Sequence, residues 1–104
     1  MQQQHNATVA RAFEEVQQIL REVLGSQKVV VYLFGSWARG EATSVSDIDI
    51  ALDSGTPLPP GILARLRDRL EESHVPYRVD VVDLTGADPA FRKRILDEGV
   101  RWSD

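Results

Sequence analysis

Two aspartates one residue apart, Asp47 and Asp49, are the strongest chemical signal in the sequence. They open an alternating run in which Ile48 and Ile50 would face one side of a strand and the aspartates the other. A strand rises ~3.3 Å per residue, so their Cα atoms would stand roughly 7 Å apart and the carboxylates would repel each other. A divalent cation removes that repulsion, and Mg²⁺ is held in proteins by carboxylates, waters and substrate phosphates. The spacing therefore predicts a cation site on one face of a strand.

A third acidic residue, Asp80, interrupts a later apolar run between Val79 and Val81. A carboxylate is out of place in a purely structural core strand, but it fits a strand that brings Asp80 beside the first two aspartates. There it could serve as a metal ligand, as a base for an attacking hydroxyl, or as both. The alternative is a structural ion pair of Asp80 with Arg78 or Arg39.

A Gly-Ser turn, Gly35 and Ser36, follows a short apolar run and precedes the residues WARG, which could start a short helix. Glycine lets a backbone come close to a ligand, and the N–H groups of such a turn attract phosphate oxygens. With a cation on the aspartates, the turn would hold the tail of a nucleoside triphosphate. Arg39 would either neutralise phosphate charge, as arginines do in phosphoryl transfer, or buttress the acidic strand. The structural alternative for Ser36 is a helix cap. Three roles are open for Trp37: stacking on a base, contact with a partner, or packing in the core.

The elements that must position these residues follow from the hydrophobic pattern. Apolar residues recur at three-and-four spacing in helices, alternate or run together in strands, and give way to Gly and Pro in loops. The expected order is helix 9–24, strand 28–34, strand 47–52, helix 62–73, strand 77–84, and a helix from Asp88 and Pro89 to Gly99. The tail would add a short strand or pack Trp102 on the core. This order favours an α/β fold of the α+β type, a small sheet with helices packed on its one apolar face.

The composition limits what the chain can be. Its 104 residues, 42% hydrophobic and 27% charged, suit one globular domain spanning 1–104, with no room for a second, substrate-binding domain. The net charge of −4 opposes a bulk electrostatic grip on long nucleic acid. The basic run Arg92–Arg94 is expected on a solvated helix face, with a partner-docking patch as the alternative. The lack of cysteine, of a signal-like start and of an apolar run approaching ~20 residues favours a cytoplasmic protein that does not enter a membrane.

The segment GSWARGEATSVSDIDI resembles the signature of the polymerase-β-like nucleotidyltransferase superfamily. That signature has a Gly-Ser pair, ten intervening residues, an Asp-x-Asp pair and a further Asp on a later strand. The ARG after the turn and Ser46, itself expected to be a turn residue bonded to its own backbone, match the small prokaryotic branch, the minimal nucleotidyltransferases. The resemblance covers nearly the whole chain, from the first helix to the ending ILDEGVRW.

The resemblance implies a nucleotidyltransferase fold with a mixed sheet, two Mg²⁺ ions, ATP as donor, and transfer of AMP to a hydroxyl with release of pyrophosphate. One ion would be held by the Asp-x-Asp pair and the second shared with the later aspartate. Matched onto this chain, the catalytic and metal-binding positions are Asp47, Asp49 and Asp80, and the nucleotide-binding positions are Gly35, Ser36 and Arg39.

The resemblance also implies a partner. Minimal nucleotidyltransferases are commonly paired with a small helical HEPN protein, an RNase-type toxin, which they bind and in some cases silence by adenylylating a tyrosine. The chain is therefore expected to be the antitoxin of such a pair, in a hetero-oligomer, and to act on a protein hydroxyl rather than on long nucleic acid.

Two alternatives stay open. The chain could be a catalytically idle antitoxin that neutralises its partner by binding alone. It could also be a nucleotidyltransferase subunit that modifies RNA or a small molecule and relies on a separate subunit to bind the acceptor. His5 and His74 are isolated and lack ligand spacing, so no histidine metal site is expected.

Overall fold

The computed structural model of the chain describes residues 7–102. Its helices and strands, in chain order, are α1 (Ala7–Leu24), β1 (Val30–Phe34), α2 (Ser36–Arg39), β2 (Ile48–Asp53), α3 (Ile62–Glu71), β3 (Val79–Asp83), α4 (Pro89–Glu98) and β4 (Val100–Arg101). Every predicted element is present, including the short tail strand. Trp102 also packs on the core, edge to face against Phe13 with 5.1 Å between ring centroids. No helix within residues 7–102 is long and apolar enough to cross a membrane.

The strands form one mixed sheet in the order β3-β2-β1-β4. β1 runs antiparallel to both β2 and β4, whereas β2 runs parallel to β3. The register sets Phe34 opposite Asp49, and Asp49 opposite Asp80. The predicted mixed sheet and α/β class are confirmed, and the acidic residues of two strands meet at one end of the sheet.

One face of the sheet is covered by α1 and α3. α1 is amphipathic because its apolar residues recur every three or four positions, and it buries that stripe in the main core. Ile48, Ile50 and Leu52 of β2 are completely buried in this core, as the alternating pattern predicts. Their burial fixes the opposite orientation of the aspartates between them.

The opposite face of the sheet holds a smaller core and α4. Its buried residues are Ala51, Leu84 and Ile95, with Tyr32, Phe34, Ala87 and Phe91 packed around them. The prediction that the helices pack on one face is therefore correct for α1 and α3 and wrong for α4. The reason is that Tyr32, Phe34 and Ala51 give the second face an apolar strip of its own, which α4 removes from water.

α4 begins and ends as predicted. The Asp88 carboxylate accepts hydrogen bonds from the backbone N–H groups of Ala90 and Phe91, at 3.1 and 3.2 Å, and Pro89 occupies the first turn. The helix stops before Gly99, which leads into β4. Because β4 pairs with β1, this connection holds α4 beside the strand that ends at the Gly-Ser turn.

Some element boundaries differ from the prediction. Asp47 lies just before β2 rather than within it. α3 ends at Glu71, earlier than predicted, where the hydroxyl of Ser73 donates to the carbonyl oxygen of Leu70 at 2.6 Å and closes the last turn.

β3 is an edge strand, since the sheet continues on one side of it only. From α3, the guanidinium of Arg67 donates a 2.9 Å hydrogen bond to the carbonyl oxygen of Val81 in β3. The Arg67 side chain thus satisfies one backbone carbonyl group of this edge strand.

Candidate active site

The turn between β1 and α2 places backbone against a carboxylate. Gly35 has φ 76° and ψ −155°, a conformation that residues with a side chain rarely adopt. A Cβ added at Gly35 would lie 3.1 Å from the Cγ atom of Asp49 and closer still to its Oδ2. The dihedral angles favour glycine, a side chain at this position would have to displace the Asp49 carboxylate, and the turn lies directly against Asp49.

Three aspartates share this end of the sheet. Asp49 is opposite Asp80 in the parallel register, and Asp47 precedes β2 by the alternation that puts it on the same side. Asp49 is half-buried, whereas Asp47 and Asp80 are exposed. Burial raises the pKa of Asp49, the negative charges of Asp80 and Asp47 raise it further, and the positive charge of Arg39 opposes them. The structure brings together the three aspartates that the sequence pattern singled out.

None of these aspartates is neutralised by an ion pair within the described chain. The four ion pairs of residues 7–102 involve other carboxylates. Neither Arg78 nor Arg39 pairs with Asp80, so the structural alternative for Asp80 does not hold.

The donor atoms at this end of the sheet are carboxylate oxygens, the ligand type that Mg²⁺ prefers. As the side chains stand, no group of three acidic or histidine residues between positions 7 and 102 is arranged to hold a metal ion. The exposed Asp47 and Asp80 have room to turn toward Asp49, and the repulsion that raises the pKa of Asp49 is what a divalent cation would relieve. The donor set fits Mg²⁺, and the assignment of the three as ligands stays a prediction. His74 is exposed, and His5 lies outside the described residues.

Arg39, the last residue of α2, lies near this end of the sheet but is bonded to a neighbour. Its Nε donates to Oε1 of Glu41 at 2.9 Å, and both side chains are largely exposed. The hydrogen bond to Glu41 is the main cause that raises the pKa of Arg39, and the charges of Glu98 and Asp49 add to it. Arg39 is thus within electrostatic reach of Asp49, and its nucleotide-binding role stays a prediction.

The surroundings of Ser36 exclude one of its alternatives, and those of Trp37 support packing. Ser36 is the first residue of α2, the N-cap is Gly35, and no side-chain hydrogen bond caps the helix. The capping alternative for Ser36 is therefore wrong, and phosphate contact stays its predicted role. Trp37 packs edge to face on Phe13 and Tyr77, with 5.6 and 5.3 Å between ring centroids. Its role is packing at the rim of the main core.

The loop before Asp47 is ordered by its own hydrogen bonds. The N–H of Thr43 donates to Oγ of Ser46 at 2.8 Å, and the N–H of Ser46 donates to the carbonyl oxygen of Thr43 at 3.1 Å. This is the turn role predicted for Ser46, and it leads the chain into the first aspartate.

Two clefts adjoin the aspartates on opposite sides. The first, here the Gly35 cleft, has a volume of about 470 Å³ and is lined by Phe34, Gly35, Arg39, Arg94, Ile95 and Glu98. The second, the Asp80 cleft, has a volume of about 600 Å³, runs along β3 and includes Tyr77, Arg78 and Asp80. By the strand order, the Gly35 cleft lies on the β1 side of β2, and the Asp80 cleft, which is also lined by Arg67 and Leu70 of α3, lies on its β3 side. A further cleft of about 320 Å³, next to α1 and β1, has no acidic residue in its lining.

Two residues of the Gly35 cleft, Arg94 and Glu98, are absent from the sequence-based site. Their spacing of four places them on one side of α4, and this helical signal is visible in the sequence. The sequence does not show which face of the sheet α4 covers. Arg94 is solvent-exposed, as predicted, and the packing of α4 also makes it part of the lining of the Gly35 cleft.

Comparison with known proteins agrees with this geometry. The profile of the family described as "Polymerase beta, Nucleotidyltransferase" matches residues 14–101. A Haemophilus influenzae protein named "Probable protein adenylyltransferase MntA" is 38% identical over 65 residues. The match covers 62% of this chain and 57% of that protein, so the chain spans little more than half the length of this relative.

Solved structures show the same fold. A chain in a crystal structure of a toxin–antitoxin with AMP-PNP superposes with a TM-score of 0.71 at 28% identity, covering 88% of this chain and 73% of that one. A chain from the complex of the tri-AMPylated Shewanella oneidensis HEPN toxin with its MNT antitoxin gives a TM-score of 0.67 at 25% identity, covering 91% and 72%. Together with the match of the family profile over most of the sequence, these likenesses show that the chain belongs to the polymerase beta nucleotidyltransferase family.

Proposed function

We propose that the chain is a Mg²⁺-dependent protein adenylyltransferase and the antitoxin of a HEPN-type RNase toxin. It transfers AMP from ATP to a hydroxyl of that toxin, with tyrosine as the expected acceptor, and so neutralises it. The observation that carries the proposal is the juxtaposition of Asp49, Asp80 and Gly35: two carboxylates in register, without an ion-pair partner in the described chain, beside a turn that only glycine permits. We place the activity in the cytoplasm, where ATP, Mg²⁺ and RNA are found together.

The relatives support a protein acceptor. The Haemophilus protein is named as a protein adenylyltransferase, and the Shewanella complex joins an MNT antitoxin to an AMPylated HEPN toxin. Membership of the family supports nucleotidyl transfer as the reaction class. A net charge of −4 is also better suited to a protein acceptor than to long nucleic acid.

The three aspartates would hold the metal. Asp47 and Asp49 would bind one Mg²⁺, and Asp80 would join them at a second. When bound, the ions neutralise phosphate charge and stabilise the entering and leaving oxygens of an in-line displacement.

The remaining groups of the chain would position the reactants. The backbone N–H groups at Gly35 and Ser36 would bind phosphate oxygens of ATP and orient the α-phosphorus. Asp80 would take the proton of the acceptor hydroxyl while the hydroxyl oxygen forms its bond to the α-phosphorus. The bond from that phosphorus to the bridging oxygen breaks, and pyrophosphate leaves. Arg39 lies where it can offset negative charge on the phosphates.

The test combines the chain with the protein encoded by the adjacent reading frame, ATP and Mg²⁺, and weighs that partner by intact-protein mass spectrometry. We expect the partner to gain one or more AMP units. The double variant Asp47→Asn with Asp49→Asn should give no gain while keeping its fold, because neither side chain belongs to the core. Asp97→Asn removes an exposed carboxylate paired with Lys93 and is the matched control, expected to retain transfer.

Two results would contradict the proposal. A partner that is silenced without any gain in mass would identify an idle antitoxin that acts by binding. Label from radioactive ATP that appears in RNA or in a small hydroxyl compound, and not in the partner, would identify a transferase with a different acceptor.

A further inference from the structure

The three basic residues at the centre of α4 have different surroundings. Arg92 donates two hydrogen bonds to Asp53, at 3.1 and 2.9 Å, and Lys93 donates to Asp97 at 2.6 Å. Within residues 7–102, Arg94 is in no ion pair with a carboxylate. It is also the one of the three that lines the Gly35 cleft.

The position of Arg94 is set by the packing of α4. Its neighbour Ile95 is buried in the smaller core, which fixes the rotation of the helix about its axis. The guanidinium carbon of Arg94 lies 5.9 Å from the centroid of the Phe91 ring, one turn earlier. These contacts place the Arg94 side chain in the same cleft as Gly35, whose backbone lies against Asp49.

The charged groups that line the Gly35 cleft are Arg39, Arg94 and Glu98. Arg39 is hydrogen-bonded to Glu41, and the charge of Glu98 also acts on Arg39. Arg94 is therefore the cation of this cleft that has no hydrogen-bonded carboxylate in the described part of the chain. An anion in the cleft would meet Arg94 as a charged donor, and a guanidinium group matches two phosphate oxygens at once.

We propose that Arg94 binds the terminal phosphates of the nucleotide donor, the part that leaves as pyrophosphate. The inference rests on the proposed function, since it takes ATP as the donor, and it adds a residue of α4 to the nucleotide site. The positions of the two clefts suggest that the leaving phosphates, rather than the acceptor, bind beside Arg94. Asp80, the proposed base, lines the cleft on the β3 side, whereas Arg94 lines the cleft on the β1 side. On this assignment the leaving group would lie on the β1 side of β2 and the acceptor would approach from its β3 side, which is compatible with an in-line displacement.

Adjacent substitutions on α4 provide the test. Arg94→Gln and Lys93→Gln each remove one positive charge, so that long-range electrostatic effects are matched. The dissociation constants of ATP with Mg²⁺ and of AMP are measured by calorimetry for the intact chain and for each variant. Because a charge-assisted hydrogen bond to phosphate is lost, Arg94→Gln should weaken ATP roughly tenfold and leave AMP within about twofold. Lys93→Gln should leave both ligands within about twofold, since Lys93 is paired with Asp97.

Arg94→Lys is the second variant, because lysine keeps the charge and an aliphatic stem over Phe91 but loses the bidentate fork. We expect an ATP affinity between those of the unaltered chain and Arg94→Gln. ATP affinity that is unchanged in both Arg94 variants would overturn the inference and leave the proposed function standing. Equal weakening of ATP and AMP would also overturn it, because it would mean a contact with the nucleoside or a loss of fold. If the unaltered chain binds no ATP, the proposed function is itself wrong, and the inference falls with it.

Discussion

The two ends of β2 carry acidic residues on the same face of the sheet, but only those at one end are paired with a basic residue. At one end, Asp53 accepts two hydrogen bonds from Arg92, and its side chain is only 17% exposed. At the other end, Asp49 faces Asp80 across the register and has a raised pKa. α4 thus neutralises a carboxylate at one end and leaves those at the other end repelling each other. The comparison separates a carboxylate that joins helix to sheet from carboxylates that remain available to a ligand.

The largest expected effect is that of Asp49→Asn on transfer. Loss of a carboxylate that is proposed to hold Mg²⁺ should lower the rate of AMP transfer to the partner by ~10³-fold or more. Stability should be unchanged or higher, because the substitution removes both the burial of a charge and its repulsion by Asp80 and Asp47. Transfer rates and urea unfolding measure the two effects. A stable variant that retains full transfer would break the distinction between the two ends of β2.

Gly35→Ala should have the next largest effect, and Gly40→Ala, at the other end of α2, is the comparison. Both glycines have a positive φ, 76° and 74°, but Gly40 has ψ 20° in the left-handed helical region, whereas Gly35 has ψ −155°, a conformation less open to alanine, and a Cβ meets Asp49 only at Gly35. We expect Gly40→Ala to cost about 1 kcal/mol from its backbone alone, and Gly35→Ala about twice that. Transfer should fall roughly 10²-fold in Gly35→Ala, because displacement of Asp49 misplaces the reacting groups. Urea unfolding and transfer assays compare the pair, and equal losses in both variants would show that the contact with Asp49 has no role.

Asp53→Asn tests the structural end of the comparison and should have a smaller effect. It weakens the ion pair with Arg92, so the unfolding midpoint should fall, by less than in Gly35→Ala, while transfer stays within about twofold. Arg92→Gln should behave in the same way, and the double variant should lose little more than either single change. A large loss of transfer in Asp53→Asn with an intact fold would assign this end of β2 to the site as well.

The smallest expected effect is a change in stability with pH. The pKa of Asp49 in the folded chain lies above its ordinary value of 3.8, so its protonated form favours the folded state. This contribution is fully present below the ordinary value and is lost as pH rises through the raised pKa. The unaltered chain should therefore lose stability relative to Asp49→Asn as pH rises through that window, and added Mg²⁺ should restore part of it at neutral pH. Urea unfolding of both chains from acid to neutral pH measures this, and a constant difference between them would contradict it.

Features that depend on neighbouring residues were predictable from the sequence. Alternation alone put Ile48 and Ile50 in the core and Asp49 on the other face, and the structure agrees; Asp47, just before β2, lies near enough for its charge to act on Asp49. The Gly-Ser turn was equally visible, because glycine is the residue that most readily adopts the positive φ found at Gly35. Periodicity of three and four residues likewise located α1, α3 and α4.

Features that depend on packing between distant segments were not predictable. The sequence indicated that Asp80 lies near the first two aspartates, but the register that sets it directly opposite Asp49 depends on two strands far apart in the chain. The position of α4 follows from an apolar strip that includes Tyr32 and Phe34 on the second face, so the sequence indicated that Arg94 is solvated but not that it lies beside the Gly-Ser turn. The single domain over 1–104, the aspartates as metal ligands and the nucleotide contacts of the Gly-Ser turn and α2 stay predictions.

An edge strand with open backbone groups can recruit another strand, including one from a second copy of the same chain. On β3 the Arg67 guanidinium already occupies the Val81 carbonyl oxygen, and the charge of Asp80 next to it opposes burial by a neighbouring chain. The sheet therefore resists outward growth at this margin. If the acceptor is a polypeptide, as proposed, it could reach Asp80 and dissociate after modification, because this margin would not hold it by strand pairing.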